Sequence, residues 1–223
     1  MVMNNKRVVI TALTAIGFCV SLSCCQDSIQ NTPADYFPLS NNTKWSYQRQ
    51  ELSTADDSTV YSQDTLKFQV DIDTVFNGIT YKKIIDSQGF TKKLIRVNGA
   101  QYFERTHDNY IAGENNELFT GYSNEVMFLD VDKPEGTSWI AYDDVQRKVE
   151  YIIKEKNSTQ NILGTVYKDV IKVDANVYYQ ELGQYKYWLT SSHYYAKNVG
   201  EVYSFIPYPL SYRYTHLRSF LIK

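Results

Sequence analysis

The sulfur of Cys24 is the atom of this sequence whose surroundings most clearly specify a reaction. Lys6 and Arg7 give a positive start, Val8 to Val20 form an apolar stretch, and Ser21-Leu22-Ser23 leads into the cysteine. A charged n-region, a short apolar h-region and small residues before a cut make an export signal. The apolar stretch falls short of the roughly 20 residues that a spanning helix needs. With Ser23 directly before Cys24, the signal reads as that of a lipoprotein, cleaved before Cys24 and acylated on its sulfur. The aliphatic residue expected three places before the cysteine is displaced, because Ser21 holds that slot and Leu22 follows it. Cys19 follows the bulky Phe18 and Cys25 follows Cys24, so both are poorer candidates. All three cysteines lie in or beside this segment. The rest of the chain therefore has no disulfide framework and no cysteine metal site.

The other chemistry-bearing residues form weaker patterns. His107, His193 and His216 are far apart in sequence, and no two stand at metal-ligand spacing. There is no Gly-x-Ser-x-Gly nucleophile elbow and no glycine-rich phosphate loop. Asp71 and Asp73 share one face of an expected strand, and Asp143 and Asp144 precede another. Asp130-Val131-Asp132, with Glu135 and Gly136 following, lacks the ligand spacing of a calcium-binding loop and reads as a solvated turn. A glycosidase carboxylate pair is defined by spatial separation, and nothing in the sequence favours one. The expectation is a protein that is not an enzyme, with no catalytic residues, no metal and no cofactor.

Charge narrows the partners. The formal net charge is −2, and removing Lys6 and Arg7 with the signal takes it to −4. A mildly acidic surface of mixed sign argues against nucleic acid. It also argues against a polybasic grip on anionic lipid, so the acyl anchor alone must supply membrane attachment. All 20 tyrosines follow the signal. Tyrosine suits half-buried strands and also supplies amphipathic contact area on binding surfaces.

Three segments follow from this: residues 1–23 as signal, 24–35 as acylated cysteine and polar tether, and 36–223 as a single β domain. Leu66 to Asp73 alternates apolar and polar with period two. Asn77-Gly78 then supplies a type I′ hairpin signal, and Ile79 to Asp86 returns, placing Asp73 opposite Lys82. Lys92 to Val97, Asn98-Gly99 and Ala100 to Thr106 repeat the arrangement, with Lys93 expected opposite Glu104. Further strand signals cover 117–131, 145–156, 166–173, 185–191, 201–205 and 212–222. The fold class is all-β: a single curved antiparallel sheet, as a meander, half-barrel or open barrel, with room for a short covering helix within 108–120. A repeat runs through it. The order Pro, Trp, long strand, Gly-x-x-Tyr-Lys occurs from Pro38 to Ile85 and again from Pro134 to Ile171, consistent with two duplicated half-sheets.

The run from Tyr185 to Val202 is the most unusual. Strict alternation puts Tyr185, Tyr187 and Leu189 on one face, as core, and Lys186 with Trp188 on the other. Aromatics on both faces are not expected of a strand with one wet face. Trp188, Lys186 and, further along, Tyr195 are therefore the candidate ligand-binding residues, with Trp188 partly exposed at the main concavity.

Asp35-Tyr36-Phe37-Pro38-Leu39, followed by Trp45-Ser46-Tyr47, resembles the opening of a family of lipoproteins common in Bacteroidetes, and Tyr195 to Gly200 matches its Tyr-Ala-x-x-Val-Gly segment. The two motifs bracket nearly the whole domain. The resemblance implies an exported lipoprotein with a strongly curved antiparallel sheet. More distantly the chain is similar to the half-barrels of LolA-like lipoprotein carriers, which hold acyl chains in their concavity. No catalytic residues come with the resemblance. Surface-displayed members carry an acidic run after the lipidated cysteine, where this chain has only Asp27. The implied location is the cell envelope, lipid-anchored at the outer membrane and facing the periplasm, with the cell surface as the alternative. The expected role is to bind a hydrophobic or lipid ligand in the concave sheet. The alternative is a glycan- or protein-binding module using exposed Tyr and Trp.

Overall fold

The computed structural model describes residues 35–53, 60–107, 122–143, 145–209 and 211–222. Cys24, its signal, the tether up to residue 34, and the expected helix in 108–120 lie outside these residues. The described chain is a run of strands: β1 Lys44–Ser53, β2 Val60–Phe76, β3 Ile79–Asp86, β4 Thr91–Asn98, β5 Gln101–His107, β6 Tyr122–Asp130, β7 Ser138–Asp143, β8 Arg147–Ile162, β9 Thr165–Glu181, β10 Gln184–Ala196, β11 Gly200–Pro207 and β12 Ser211–Leu221. All twelve join one antiparallel sheet in the order β6-β5-β4-β3-β2-β1-β12-β11-β10-β9-β8-β7. The chain therefore starts in the middle of its sheet. Half of it meanders out to β6, and the other half begins at the opposite edge and meanders back to pair β12 with β1.

This sheet is the curved, nearly closed open barrel expected. Curvature brings its two edges together, and side chains bridge the seam. The Trp139 indole N–H of β7 donates to the Met127 carbonyl of β6 at 2.8 Å. Lys156 of β8 donates to the carbonyls of Val131 and Lys133, just beyond β6, at 2.7 and 2.9 Å. The Met127 carbonyl, which would otherwise offer itself to another strand at the β6 edge, is thereby occupied.

The hairpin turns follow their sequence. Asn77 and Gly78 both have positive φ (50° and 78°), as a type I′ turn requires, and Asp73 pairs with Lys82 as expected. The ammonium of Lys82 lies 2.5 Å from Asp73. The next hairpin differs. Asn98 pairs with Gln101, so the turn residues are Gly99 and Ala100, not Asn98 and Gly99. Gly99, at φ 60°, takes the first central position, which favours glycine in a type II′ turn. The slip shifts pairing by two residues, so inward and outward faces are kept. Glu104 pairs with Ile95, and Lys93 reaches it diagonally at 3.0 Å.

Two further I′ turns place leucine where asparagine is preferred. Leu163 and Leu182 sit at φ 50° and 51°, each followed by a positive-φ glycine. Leu182 is 96% exposed, so nothing it packs against compensates. The left-handed conformation costs a branched L-residue roughly 1–2 kcal/mol, and asparagine tolerates it better. Leu182→Asn is expected to raise stability by about 0.5–1 kcal/mol, seen as a higher urea midpoint with an unchanged slope.

The repeated segments occupy matching places. The N–H of Asn42 donates to the Val70 carbonyl, and the Val70 N–H returns to Thr43 (3.0 and 2.9 Å). Gly136, Ile153 and Thr137 make the same exchange at 2.8 and 3.0 Å. Trp45 and Trp139 are each the second residue of the strand that follows.

Candidate functional site

The interior is not filled throughout. A cavity of about 490 Å³ runs through the lumen and takes its walls from strands all around the sheet. One end is closed by aromatics. The segment before β1 turns inward there, so that Phe37 packs on Trp45 and Phe128 with ring centroids 5.1 and 6.0 Å apart. Tyr36 donates its backbone N–H to the Tyr102 hydroxyl at 2.9 Å, and the Asn198 N–H donates to the Asp35 carbonyl at 2.6 Å. Trp45 donates its indole N–H to the Val199 carbonyl at 2.7 Å. The two motifs that bracket the sequence therefore meet in space, and their role is to plug the barrel.

Above the plug lies a polar belt. Tyr47 of β1, Lys93 of β4, Glu104 of β5, Tyr151 of β8, His193 and Tyr195 of β10, and Glu201 of β11 all line the cavity. His193 Nδ1 lies 2.8 Å from Glu201 Oε1, and its Nε2 lies 3.1 Å from the Ser191 hydroxyl. The Tyr47 hydroxyl donates to the Glu201 carbonyl at 3.0 Å, fixing the backbone that carries the carboxylate. Burial raises the Tyr195 and Tyr47 hydroxyls well above their ordinary range, and nearby Glu201 adds to both shifts, so these groups stay protonated donors. Further walls are apolar: Leu66, Ile84, Val126, Val149, Val177 and Ile206. The far end is a charged rim where Arg49 pairs with Asp64, Lys92 with Asp86 and Arg213 with Glu51.

Glu201 carries a pH consequence. Burial pushes its carboxyl upward, but hydrogen bonding and charge from His193, with Lys93 beyond, outweigh this and hold it below the ordinary 4.5. A depressed folded pKa stabilises the fold fully above the unfolded value and is lost as pH falls through the folded one. The penalty of Glu201→Gln in urea denaturation is therefore expected to be present above the unfolded carboxyl value of 4.5 and to shrink as pH falls through the lower folded one.

Of the three expected ligand residues, only Tyr195 lies in the cavity wall, 6% exposed. Trp188 and Lys186 are not among the lining residues. The register of β10 shifts here: Tyr187 pairs with Tyr178 and Leu189 with Val177, leaving Trp188 as the extra residue of a bulge, packed against the cluster of Val149, Ala175, Val177, Leu189 and Ile206 that borders the cavity. Alternation breaks there, so Tyr187 is 60% exposed while Leu189 is buried, which corrects the shared core face expected for Tyr185, Tyr187 and Leu189. Trp188 is half-buried between Tyr179 and Tyr208, with centroids at 5.0 and 6.4 Å. Lys186 pairs with Glu181 at 2.5 Å.

The belt itself was not legible in sequence. Ser191 and His193 share a strand face by period two, a signal too common to notice. Glu201 joins them only because β11 also bulges: His193 pairs with Ser204 but Tyr195 pairs with Glu201. The shift turns Glu201 inward beside its neighbour Val202. Among the described residues, no group of three or more His, Cys, Asp or Glu is arranged to hold a metal ion.

No family model matches the chain, and no curated protein matches it. Among solved structures, a Bacteroides fragilis protein described as exported and as having a YmcC-like fold superposes with a TM-score of 0.48. It is 13% identical, over 85% of this chain and 100% of that one. A Parabacteroides distasonis protein described as a lipoprotein gives a TM-score of 0.42 and 15% identity, over 84% of this chain and 99% of that one.

Proposed function

We propose that this is an envelope lipoprotein that holds an amphipathic small molecule inside its barrel. The observation that carries the reading is the lumen of about 490 Å³. That size falls in the usual range for ligand sites, which combine mostly apolar walls with a few placed polar groups. A chain of carbons fits against Leu66, Val126, Val177 and Ile206, and the belt offers donors and acceptors to a polar head.

Two experiments test the reading. Native mass spectrometry of residues 25–223 isolated from the producing cell is expected to show a bound small molecule, and titration with a fluorescent fatty acid is expected to saturate at one per chain. Absence of both overturns it. For the anchor, Cys24→Ala is expected to release the protein from the membrane fraction or stall it uncleaved. Labelling of that variant by a palmitate analogue would place the lipid elsewhere.

The outer face supports a second reading, in which exposed aromatics dock a glycan or protein. Tyr194, Tyr203, Tyr214, Phe205 and Tyr212 form a continuous row across β10, β11 and β12, with successive centroids 5.0 to 6.4 Å apart. The rings are tilted by 32° to 68° and half-buried, which suits cross-strand packing at least as well as sugar stacking.

A further inference from the structure

We propose that Ser191 is a nucleophile, activated by His193 and Glu201, and that the lumen cleaves acyl esters. The inference goes beyond ligand binding but rests on the same cavity admitting a small molecule. Its basis is a continuous hydrogen-bond relay, Ser191 Oγ to His193 Nε2 at 3.1 Å and His193 Nδ1 to Glu201 Oε1 at 2.8 Å. All three side chains line the one cavity.

The order of the relay fixes the proton positions. An ionised Glu201 beside His193 Nδ1, 2.8 Å away, can only accept. A neutral His193 must then carry its hydrogen on Nδ1, facing the carboxylate. This leaves the Nε2 lone pair directed at the Ser191 hydroxyl, the arrangement a general base needs. Glu201 is a positioning residue: it selects the tautomer and stabilises the imidazolium once the proton arrives. Its own placement is supported from below by the Tyr47 hydroxyl, which donates to its carbonyl.

The reaction balances with water alone. Ser191 Oγ bonds to the carbonyl carbon of the ester while its proton moves to His193 Nε2. The carbon–oxygen bond to the alcohol breaks, and the alkoxide leaves with that proton. Water then attacks the acyl-Ser191 ester and passes its own proton through His193 back to Ser191 Oγ, which departs as the hydroxyl. One ester and one water become one alcohol and one carboxylic acid.

The sheet also constrains the rate. β10 pairs with β9 at Ser191 and with β11 from Ser192 to Ala196, so the ladder engages much of the backbone around the nucleophile. Side-chain donors facing the same lumen, the Tyr151 and Tyr195 hydroxyls and the Lys93 ammonium that also pairs with Glu104, are the groups available to a developing oxyanion. Losing one amide donor from an oxyanion hole slows serine hydrolases by about 10²–10³-fold. A site without such amides is expected to acylate at a measurable rate and turn over slowly.

The test is covalent trapping on the intact soluble chain. Wild-type protein is incubated with an alkyl fluorophosphonate, and the adduct is mapped by peptide mass spectrometry. One adduct on Ser191 is expected, absent in Ser191→Ala and formed at least about 10²-fold more slowly in His193→Gln. Glu201→Gln is expected to slow labelling and Glu201→Asp to recover part of the rate. Circular dichroism establishes that each variant is folded. A wild-type protein without an adduct on Ser191, or a folded His193→Gln labelled at the wild-type rate, overturns the assignment. Capture of the fluorescent fatty acid by an unlabelled wild type would sink the nucleophile and leave the binding reading standing. Labelling without capture would do the reverse.

Discussion

Trp45→Ala is expected to lower stability by about 3–5 kcal/mol, the usual cost of truncating a buried tryptophan. The side chain is 2% exposed and belongs to the plug that closes the lumen, against Phe37. It also makes the hydrogen bond to Val199 that joins the start of the domain to the β10–β11 turn, 154 residues on. Truncation both opens a cavity and leaves the half-buried Val199 carbonyl without its donor. Gly200 gives an independent probe of this contact. Its φ is 107°, and a Cβ there would lie 3.1 Å from the Trp45 ring nitrogen. Gly200→Ala should therefore destabilise the same end of the barrel. Trp188→Ala removes an equal volume from a half-buried bulge near the opposite end, and about 1–2 kcal/mol is expected. Urea midpoints of the three variants settle the order, and a smaller loss at Trp45 than at Trp188 would show that the plug does not anchor the fold.

Ala175→Trp is expected to abolish ligand capture, with at least a tenfold loss of affinity, while the protein stays folded. Ala175 lies in the lumen wall, paired with Tyr151 on one side and Ser191 on the other. Enlarging a side chain in a packed core usually costs about 1–3 kcal/mol through strain. Here the added indole can enter the lumen of about 490 Å³, so the stability change should fall at or below the low end of that range. Fatty-acid titration of this variant beside the wild type measures the effect. Undiminished capture would mean that the ligand sits outside the lumen, and the outer aromatic row would then be the surface to test.

The legible parts of this protein are those set by neighbours in sequence. Period-two alternation and the Asn77-Gly78 dipeptide act within a few residues, and they led to the β2–β3 hairpin and its Asp73–Lys82 pair. The same local cues produced the all-β, single-sheet expectation. They failed where one extra residue changes the parity of a strand. At Trp188 a bulge broke the shared face of β10, leaving Tyr187 exposed while Leu189 stayed buried. At Val202 another bulge turned Glu201 inward toward His193. A bulge is favoured by packing on both sides of a strand and leaves no fixed dipeptide behind.

By itself the sequence determined that strands would form, that turns would fall at the glycines, and that cysteine chemistry would be confined to the first 25 residues. It also carried the two motifs, Asp35 to Leu39 and Tyr195 to Gly200, but not the fact that they touch. Only the tertiary structure decided that β1 would pair with β12, that the sheet would curl until its edges met, and that Ser191, His193 and Glu201 would face the cavity together. The physical reason is range. Alternation and turn geometry are local energies of the chain, whereas the β1–β12 pairing joins residues more than a hundred positions apart, and the closing of the edges and the bulge that aims Glu201 at His193 depend on packing around the whole barrel.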